Sequence, residues 1–481
     1  MGQAHQRGQR QALIAMSNQA MTPAGLTHSL SSFARELKWE HLSASAVDRA
    51  LTAVIDCLGC MMAGTHTEPG QIAMRWAQKE GGAPLSTVVG MQLRTAPALA
   101  AFVNGVTAHA LDYDDVSPPM IGHPSVPLVP ALLAAAEVCG ASGQEFLTAY
   151  VVGFDVEARI GRLMNPEHYA HGWHATSTLG ALAAAAGAGR LLGLTDAQMR
   201  HALGIAASGA GGLRKNFGSM TKALHAGQAA QRGLSAAMLA AQGFDADPEI
   251  LDGPHGFLDA FRGELQAPRS TAGLQFDVSQ PLEMVSSGVG IKQYACCGCS
   301  HTSIDALLGL MSQHPVNVAD IDKVVCRVNS LVPGVLIHAH ALTGFQGKFS
   351  MQYSVAVALL DREAGPRQFE DERASKADVQ DLQRRIFMEV DPSIPIQHGV
   401  FPAKVAMHLK NGTVLRGESH KAQGMHPDLP LSAEQVNSKF LSCASYALSE
   451  PNAKELLAQL RNLPHIQNVA SLAPLLIGPK A

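Results

Sequence analysis

The chain has 481 residues, room for about two to four ordinary domains. Hydrophobic residues make up 47% and charged residues 16%, a balance that excludes a globally disordered chain. Lys plus Arg number 36 against 40 Asp plus Glu, a formal charge of −4 that leaves no general nucleic-acid footprint; the 8 Cys are too sparse for a disulfide framework, so a reducing, cytoplasmic compartment is expected.

Residues 1–29 read as a loose tail. The first 21 contain Arg7 and Arg10, no acid and no apolar run long enough for a signal peptide, and a weak transit-like segment or an upstream extension before Met16 or Met21 stay open as alternatives. Over residues 37–261 apolar residues recur at three- and four-residue spacing, so residues 30–274 are expected to form an all-α domain. Ser142 with Glu145 and Thr195 with Gln198 match the capping box, in which each side chain satisfies an orphan donor of the first turn, and predict helices starting near Gly143 and Asp196. The Ala/Gly-rich run 179–194 is interrupted by Arg190 and falls short of a membrane span, so no membrane partner is expected.

The pattern changes near residue 275, and residues 275–420 read as a smaller α+β lid domain. Residues 323–328 approximate strand alternation, while 405–409 and 413–415 flank Asn411-Gly412 as a hairpin with a type I′ turn. Residues 303–311 and 349–360 look helical, and the charged stretch 361–376 reads as a surface connection. Helical spacing returns over 430–460, so residues 421–481 are expected to rejoin the helical domain and make the lid an insertion. The expected fold class is mainly α.

Four segments could carry chemistry. HALDYDDVSPPMIGHPS, from His109 to Ser125, places two His and three Asp in an otherwise apolar neighbourhood, where burying that many ionisable groups is costly without partners. Its Pro118-Pro119 pair and Gly122 force a loop that lets His123 fold back toward Asp112; taken singly, Asp114 and Asp115 read equally well as site residues or as helix caps or Arg partners. HYAHGWHATSTLG puts His174 at the mouth of a helix that Thr176 or Ser177 would cap, with His168 and His171 read as structural. GGLRKNFGSMTKALHAGQAA offers Arg214 and Lys222 to a carboxylate and leaves Lys215 as a solvated charge. IKQYACCGCSHTSIDAL holds Lys292, Cys296, Cys297, Cys299 and His301; its Cys spacing departs from zinc-site patterns, so the thiols read as buried packing and His301 as the functional candidate. No dinucleotide, P-loop, nucleophile-elbow or zinc-hydrolase motif occurs.

Together these segments resemble the MmgE/PrpD family, which includes 2-methylcitrate dehydratase, cis-aconitate decarboxylase and iminodisuccinate epimerase, over residues 30–460. The resemblance is carried by HALDYDD with HPS, by GWH before an Ala-rich helix, by TKALHAGQAA and, more loosely, by KQYACCGCSHTSIDAL. It implies a large all-α domain with a smaller α+β lid, a homodimer, and a pocket between the domains with Asp112, His123, His174, Lys222 and His301 on active-site positions. Arg214 and Lys292 join Lys222 and His301 as expected substrate contacts. Where the decarboxylase and methylcitrate dehydratase members carry Asp-Thr-Trp after the acid motif, this chain has Asp115-Val116-Ser117.

The implied chemistry is proton removal or delivery beside a carboxylate of a small di- or tricarboxylic acid, which needs a base within reach and cations where enolate charge develops. On this reading Lys222 and His301 hold carboxylates, His174 and Asp112 form an acid/base pair, and His123 handles the second proton, without cofactor or metal. The leading expectation is a dehydratase-like lyase, with an epimerase or a decarboxylase as sister readings. Also open are a metal-dependent hydrolase or hydratase built on His109, Asp112, Asp114, His123 and His174, an iron-sulfur dehydratase using Cys296, Cys297 and Cys299, and a non-catalytic binding protein.

Overall fold

The computed structural model describes residues 25–262, 276–396 and 400–478. The expected tail lies outside the described residues up to residue 24, and helix already begins at Leu26, inside the 1–29 span. Numbering helices of eight residues or more in chain order, the first part comprises α1 (Leu26–Glu36), α2 (Ala44–Gly64), α3 (Glu68–Glu80), α4 (Pro97–His109), α5 (Ser125–Cys139), α6 (Gly143–Met164), α7 (Ala175–Leu191), α8 (Asp196–Gly209) and α9 (Thr221–Ala241). Both expected capping boxes form. Ser142 Oγ accepts from Glu145 N at 3.3 Å while Glu145 Oε2 accepts from Ser142 N at 2.8 Å, and Thr195 and Gln198 repeat the exchange at the start of α8.

Small residues set the helix spacing. A Cβ on Gly105 of α4 would lie 2.7 Å from Gly227 Cα on α9, and one on Gly227 would lie 2.5 Å from the Phe102 carbonyl oxygen, so the two backbones touch. Residues beyond Gly105 therefore meet residues ahead of Gly227, which brings Asp112 to Lys222. The all-helical expectation missed one element: β1 (Ser86–Val88) and β2 (Leu93–Thr95) form an antiparallel hairpin. Three-residue strands carry no periodicity. This pair is held from α5 by Glu137, which accepts from Thr87 N at 2.7 Å and pairs with Arg94 at 3.0 Å.

The later part contains α10 (His301–Gln313), α11 (Met351–Asp361) and a four-stranded sheet of β3 (Ile321–Val328), β4 (Ile386–Val390), β5 (Ala403–Leu409) and β6 (Val414–Ser419) in the order β4-β3-β5-β6. β3 runs parallel to β4 and antiparallel to β5, with Val324 opposite Ile386 and Cys326 opposite Val405. The β5–β6 hairpin forms, but its turn is not type I′. Only Gly412 takes a positive φ, 89°, and Leu409 N donates to Thr413 O at 2.8 Å across a three-residue loop, the arrangement that places glycine in the left-handed position after an ordinary turn. The stretch read as a surface connection is partly structural, since Ala364, Phe369 and Ala374 are buried.

α12 (Ala433–Ala444) and α13 (Glu450–Arg461) return to the helices, α12 packing on α2. Lys439 of α12 is buried with its Nζ 2.7 Å from Asp56 Oδ1, and it donates to the carbonyls of Tyr113 at 2.7 Å and Lys292 at 2.8 Å. One ammonium thus ties α2 to the two backbone stretches beside Asp112 and Lys292. Lys439→Met is expected to lower stability by about 3–5 kcal/mol, because it strands a buried carboxylate and two carbonyls. Urea denaturation checks this, and a loss below about 1 kcal/mol would show a pair no stronger than a surface one. Among the described residues no helix is long and apolar enough to cross a membrane.

Candidate active site

Ionisable groups gather where the loop after α4 meets the N-terminal ends of α7 and α9. Asp112 takes φ 54° and Ile121 φ 52°, left-handed values that cost energy in any non-glycine residue and most in a β-branched one. Pro118 and Pro119 turn the chain, and Ser117 N closes the bend on Gly122 O at 2.9 Å. Gly122 packs so closely on α7 that a Cβ there would lie 3.0 Å from Thr176 N, and Thr176 Oγ1 accepts from His123 N at 3.0 Å. His123 is thereby folded back, its Nε2 3.5 Å from Asp112 Oδ1 and its Nδ1 2.8 Å from Asp114 Oδ2.

The two acids that the sequence left between a site role and a capping or Arg-pairing role separate in the structure. Asp115 accepts from the backbone N of Ser125 at 3.2 Å and from its hydroxyl, at the first residue of α5, whereas Asp114 lies between His109 Nδ1 at 2.9 Å and His123. Burial alone would raise the Asp114 carboxyl, but the imidazoles beside it hold it well below the usual carboxylate range.

Lys222, the second residue of α9, is buried with Nζ 2.6 Å from Asp112 Oδ1. Lys292 reaches the same oxygen at 3.1 Å and donates to the Asp112 carbonyl at 2.8 Å. Burial opposes ionisation of Asp112, yet these two ammonium groups outweigh it and keep the carboxyl far below its ordinary value. Lys292 also stays charged: burial disfavours the ammonium, and Asp112 and Asp114 more than compensate.

His174 caps α7 by position, but neither Thr176 nor Ser177 supplies the expected side-chain cap. The structure does not pair His174 with Asp112. Its Nδ1 lies 3.0 Å from His225 Nδ1, so one ring donates to the other, and its ring stacks on His109 at 5.7 Å. Burial, then His109 and Lys222, push His174 well below its ordinary value, and burial lowers His225 to about 4. Both rings are neutral at pH 7. His225 was not singled out from sequence, although its place three residues after Lys222 puts it on the same helical face. Lys348 was also missed; it donates to the Ala110 carbonyl at 3.1 Å, and burial lowers it to about 8.

Arg214 stacks 3.7 Å over the Tyr169 ring and donates to the Tyr169 carbonyl at 2.6 Å, leaving its buried Nε without a hydrogen-bond partner. Lys215 is exposed, as is His171. His168 is structural, its two nitrogens engaged by the Phe261 carbonyl at 2.6 Å and Thr178 Oγ1 at 2.7 Å.

A cavity of about 430 Å3 joins these groups, a size suited to a small ligand. Asp112, His123, His174, Arg214, Lys222 and Lys292 line it, with apolar walls that include Ile121, Phe217, Leu331, Val335, Phe349 and Phe401. Both parts of the chain contribute. His301 is not on the wall: it is fully buried, its Nε2 3.2 Å from the Cys296 carbonyl and its ring edge-on to Tyr294. Burial lowers it to about 3. Cys297 and Cys299 face the cavity in its place.

His109, Asp112, Asp114 and His123 offer ligand atoms within 4.8 Å of one another. That set suits a divalent cation poorly, because two ammonium groups already neutralise Asp112 and would repel the ion. Fixed cations, imidazole and apolar walls thus meet at one cavity. The MmgE/PrpD N-terminal domain family matches residues 28–269 and the MmgE/PrpD C-terminal domain family residues 294–463, and the chain belongs to the MmgE/PrpD family. Its relatives include cis-aconitate decarboxylase of Homo sapiens, 30% identical over 94% of this chain and 95% of the relative. Those of Mus musculus and Aspergillus terreus are 29% and 26% identical, over 94% and 95% of this chain and 94% and 96% of the relative. The protein is thus an enzyme of the MmgE/PrpD type, a lyase or isomerase.

Proposed function

We propose that this enzyme is a cofactor-independent lyase that moves a proton at a carbon next to a carboxylate of a small di- or tricarboxylic acid. The observation that carries this reading is the convergence of Lys222 and Lys292 on Asp112, at a cavity whose other inward groups include neutral imidazole. Asp112 holds the two ammonium groups in place rather than donating a proton. A substrate carboxylate docks against them and Arg214, and the same cations stabilise the enolate charge that develops when the neighbouring carbon gains or loses its proton. His174, with Nδ1–H turned to His225, presents Nε2 as the base; the bound anion raises the affinity of that nitrogen for a proton. His123, with carboxylates beside both nitrogens, stands on the same wall as a second proton-transfer group. His301 holds the Cys296 carbonyl and the Tyr294 ring behind the wall.

Among lyase reactions, decarboxylation of cis-aconitate is the first to test, because relatives bearing that name match along nearly the whole chain. Dehydration of a hydroxy acid is the second reading. Ser117 favours it: this residue belongs to the cavity lining and its buried Oγ has no hydrogen-bond partner, a need that a substrate hydroxyl would meet.

The test is proton NMR in deuterated water with cis-aconitate, citrate, 2-methylcitrate and aspartate-derived diacids. Turnover, or deuterium entering a carbon beside a carboxylate, is expected for at least one acid and is expected to persist after exhaustive chelation. Inertness toward all of them would sink the lyase reading, and loss of activity on chelation with recovery on adding a divalent ion would replace it with the metal-dependent one.

A further inference from the structure

Decarboxylation is completed by delivery of one proton to carbon, and dehydration takes one proton from carbon while giving another to the departing hydroxyl, so a donor and a base can stand on different walls of a cavity. The helical wall supplies His174 and His123. On the wall contributed by residues beyond 276, the titratable groups among the described lining residues are Lys292, Cys297 and Cys299. Lys292 is committed to Asp112 by two contacts, which leaves the thiols.

The three neighbouring cysteines are not equivalent. Cys296 turns away from the cavity and its Sγ lies 3.2 Å from Ser300 Oγ. Cys299 lines the cavity but is buried, at 3% exposure. Cys297 is half-buried, and its backbone is fixed on both sides: its N donates to the Lys348 carbonyl at 2.9 Å, and its carbonyl accepts from Ser300 N at 3.1 Å and Ser300 Oγ at 2.9 Å. This anchoring leaves the side chain on the wall. A second, independent sign that the cavity expects a polar ligand is Ser117, a residue of the same lining that is 1% exposed and whose buried Oγ has no hydrogen-bond partner.

We propose that Cys297 is the catalytic proton donor of the sheet-bearing wall, on the side from which the sequence reading expected His301 to contact a substrate carboxylate. This rests on the lyase reading above. In decarboxylation the C–C bond to the departing carboxylate breaks, CO2 leaves, and the electron pair passes to carbon. The Cys297 S–H bond then breaks, its proton forms the new C–H bond, and the thiolate left beside Lys292 is reprotonated from water before the next turnover. In dehydration the same proton goes to the departing hydroxyl while His174 takes the carbon proton. The environment agrees with this role. A hydrogen bond from Cys299, assisted by Lys292, lowers the Cys297 thiol against the opposing effects of burial and Asp112, whereas the Cys299 thiol is pushed well up.

The test compares kcat and KM of Cys297→Ala and Cys297→Ser with the unsubstituted enzyme on whichever acid it turns over, with melting temperatures alongside. Both variants are expected to lose about 10²–10⁴-fold in kcat, with KM changed less than about threefold and an unchanged melting temperature. A kcat for Cys297→Ala within about threefold of the parent overturns the assignment. Should that variant not fold, iodoacetamide is applied to the folded enzyme carrying Cys139→Ser, which removes the exposed thiol. Alkylation mapped to Cys297 is expected to abolish turnover and to slow in the presence of substrate. Full alkylation with activity retained, or no reaction at Cys297, overturns it. If the unsubstituted enzyme is inert toward every acid, the lyase reading fails and the thiol role with it; if it is active and Cys297→Ala equals it, only the thiol role fails.

Discussion

Replacing His174 by Ala is expected to lower turnover by about two to four powers of ten, the usual cost of losing a positioned general acid or base. The ring is well placed for such a loss to be chemical rather than structural. It caps no backbone donor of α7 through its side chain, and its ring hydrogen-bonds to His225 at 3.0 Å, another neutral imidazole with 4% exposure. Removing it therefore strands no charge. The far-ultraviolet circular dichroism spectrum and the melting temperature should stay near those of the parent, while kcat falls more steeply than 1/KM changes. A kcat close to normal would make His174 a wall residue and move the base to another group of the cluster.

The second large effect is expected at Lys222. Lys222→Met keeps most of the stem, which passes the rings of Phe217 and Phe349 with Nζ at 5.3 and 5.4 Å from their centroids, but removes the charge nearest Asp112. Asp112 then keeps Lys292 as its ammonium partner, and the cavity loses a cation that is expected to meet both the bound carboxylate and the enolate. Because one group serves both states, kcat and KM should worsen together and kcat/KM should fall by about 10²–10³-fold. Steady-state kinetics against the acid found by NMR checks this; unchanged kcat/KM would take Lys222 out of the site. The variant also separates the role of Lys222 from that of Lys439, whose loss is expected to show first in stability because it holds backbone carbonyls rather than facing the cavity.

Both parts of the chain line the cavity. Asp112, His123, His174 and Lys222 come from the helical part, while Lys292 and Cys297 come from the segment that leads into α10. Lys439 returns from α12 to fasten the backbones of Tyr113 and Lys292 to one another. Any rearrangement that opened the cavity between the parts would have to break charge-assisted hydrogen bonds in a buried setting, so the site is built to keep its cations fixed before substrate arrives.

Local signals were legible in the sequence alone. The capping boxes at Ser142 and Thr195 work within one helical turn, and the bend that returns His123 is set by Pro118, Pro119 and Gly122 a few residues away. The mainly α fold followed from spacing along single helices. Partners far apart in the chain were not legible. Lys222 and Asp112 are 110 positions apart, Lys292 and Asp112 180, and Lys439 and Tyr113 326, and no local rule says which cation meets which anion. The same holds for the ring of His225 against His174, and for Glu137, which stabilises strands too short to announce themselves. At the start of α10 the sequence offered a cluster of cysteines and one histidine but not their directions. The 3-10 turn Gly298–Ser300 decides those, turning His301 inward against Tyr294 and leaving Cys297 on the cavity wall, because which side of a turn meets the cavity is fixed by what packs behind it.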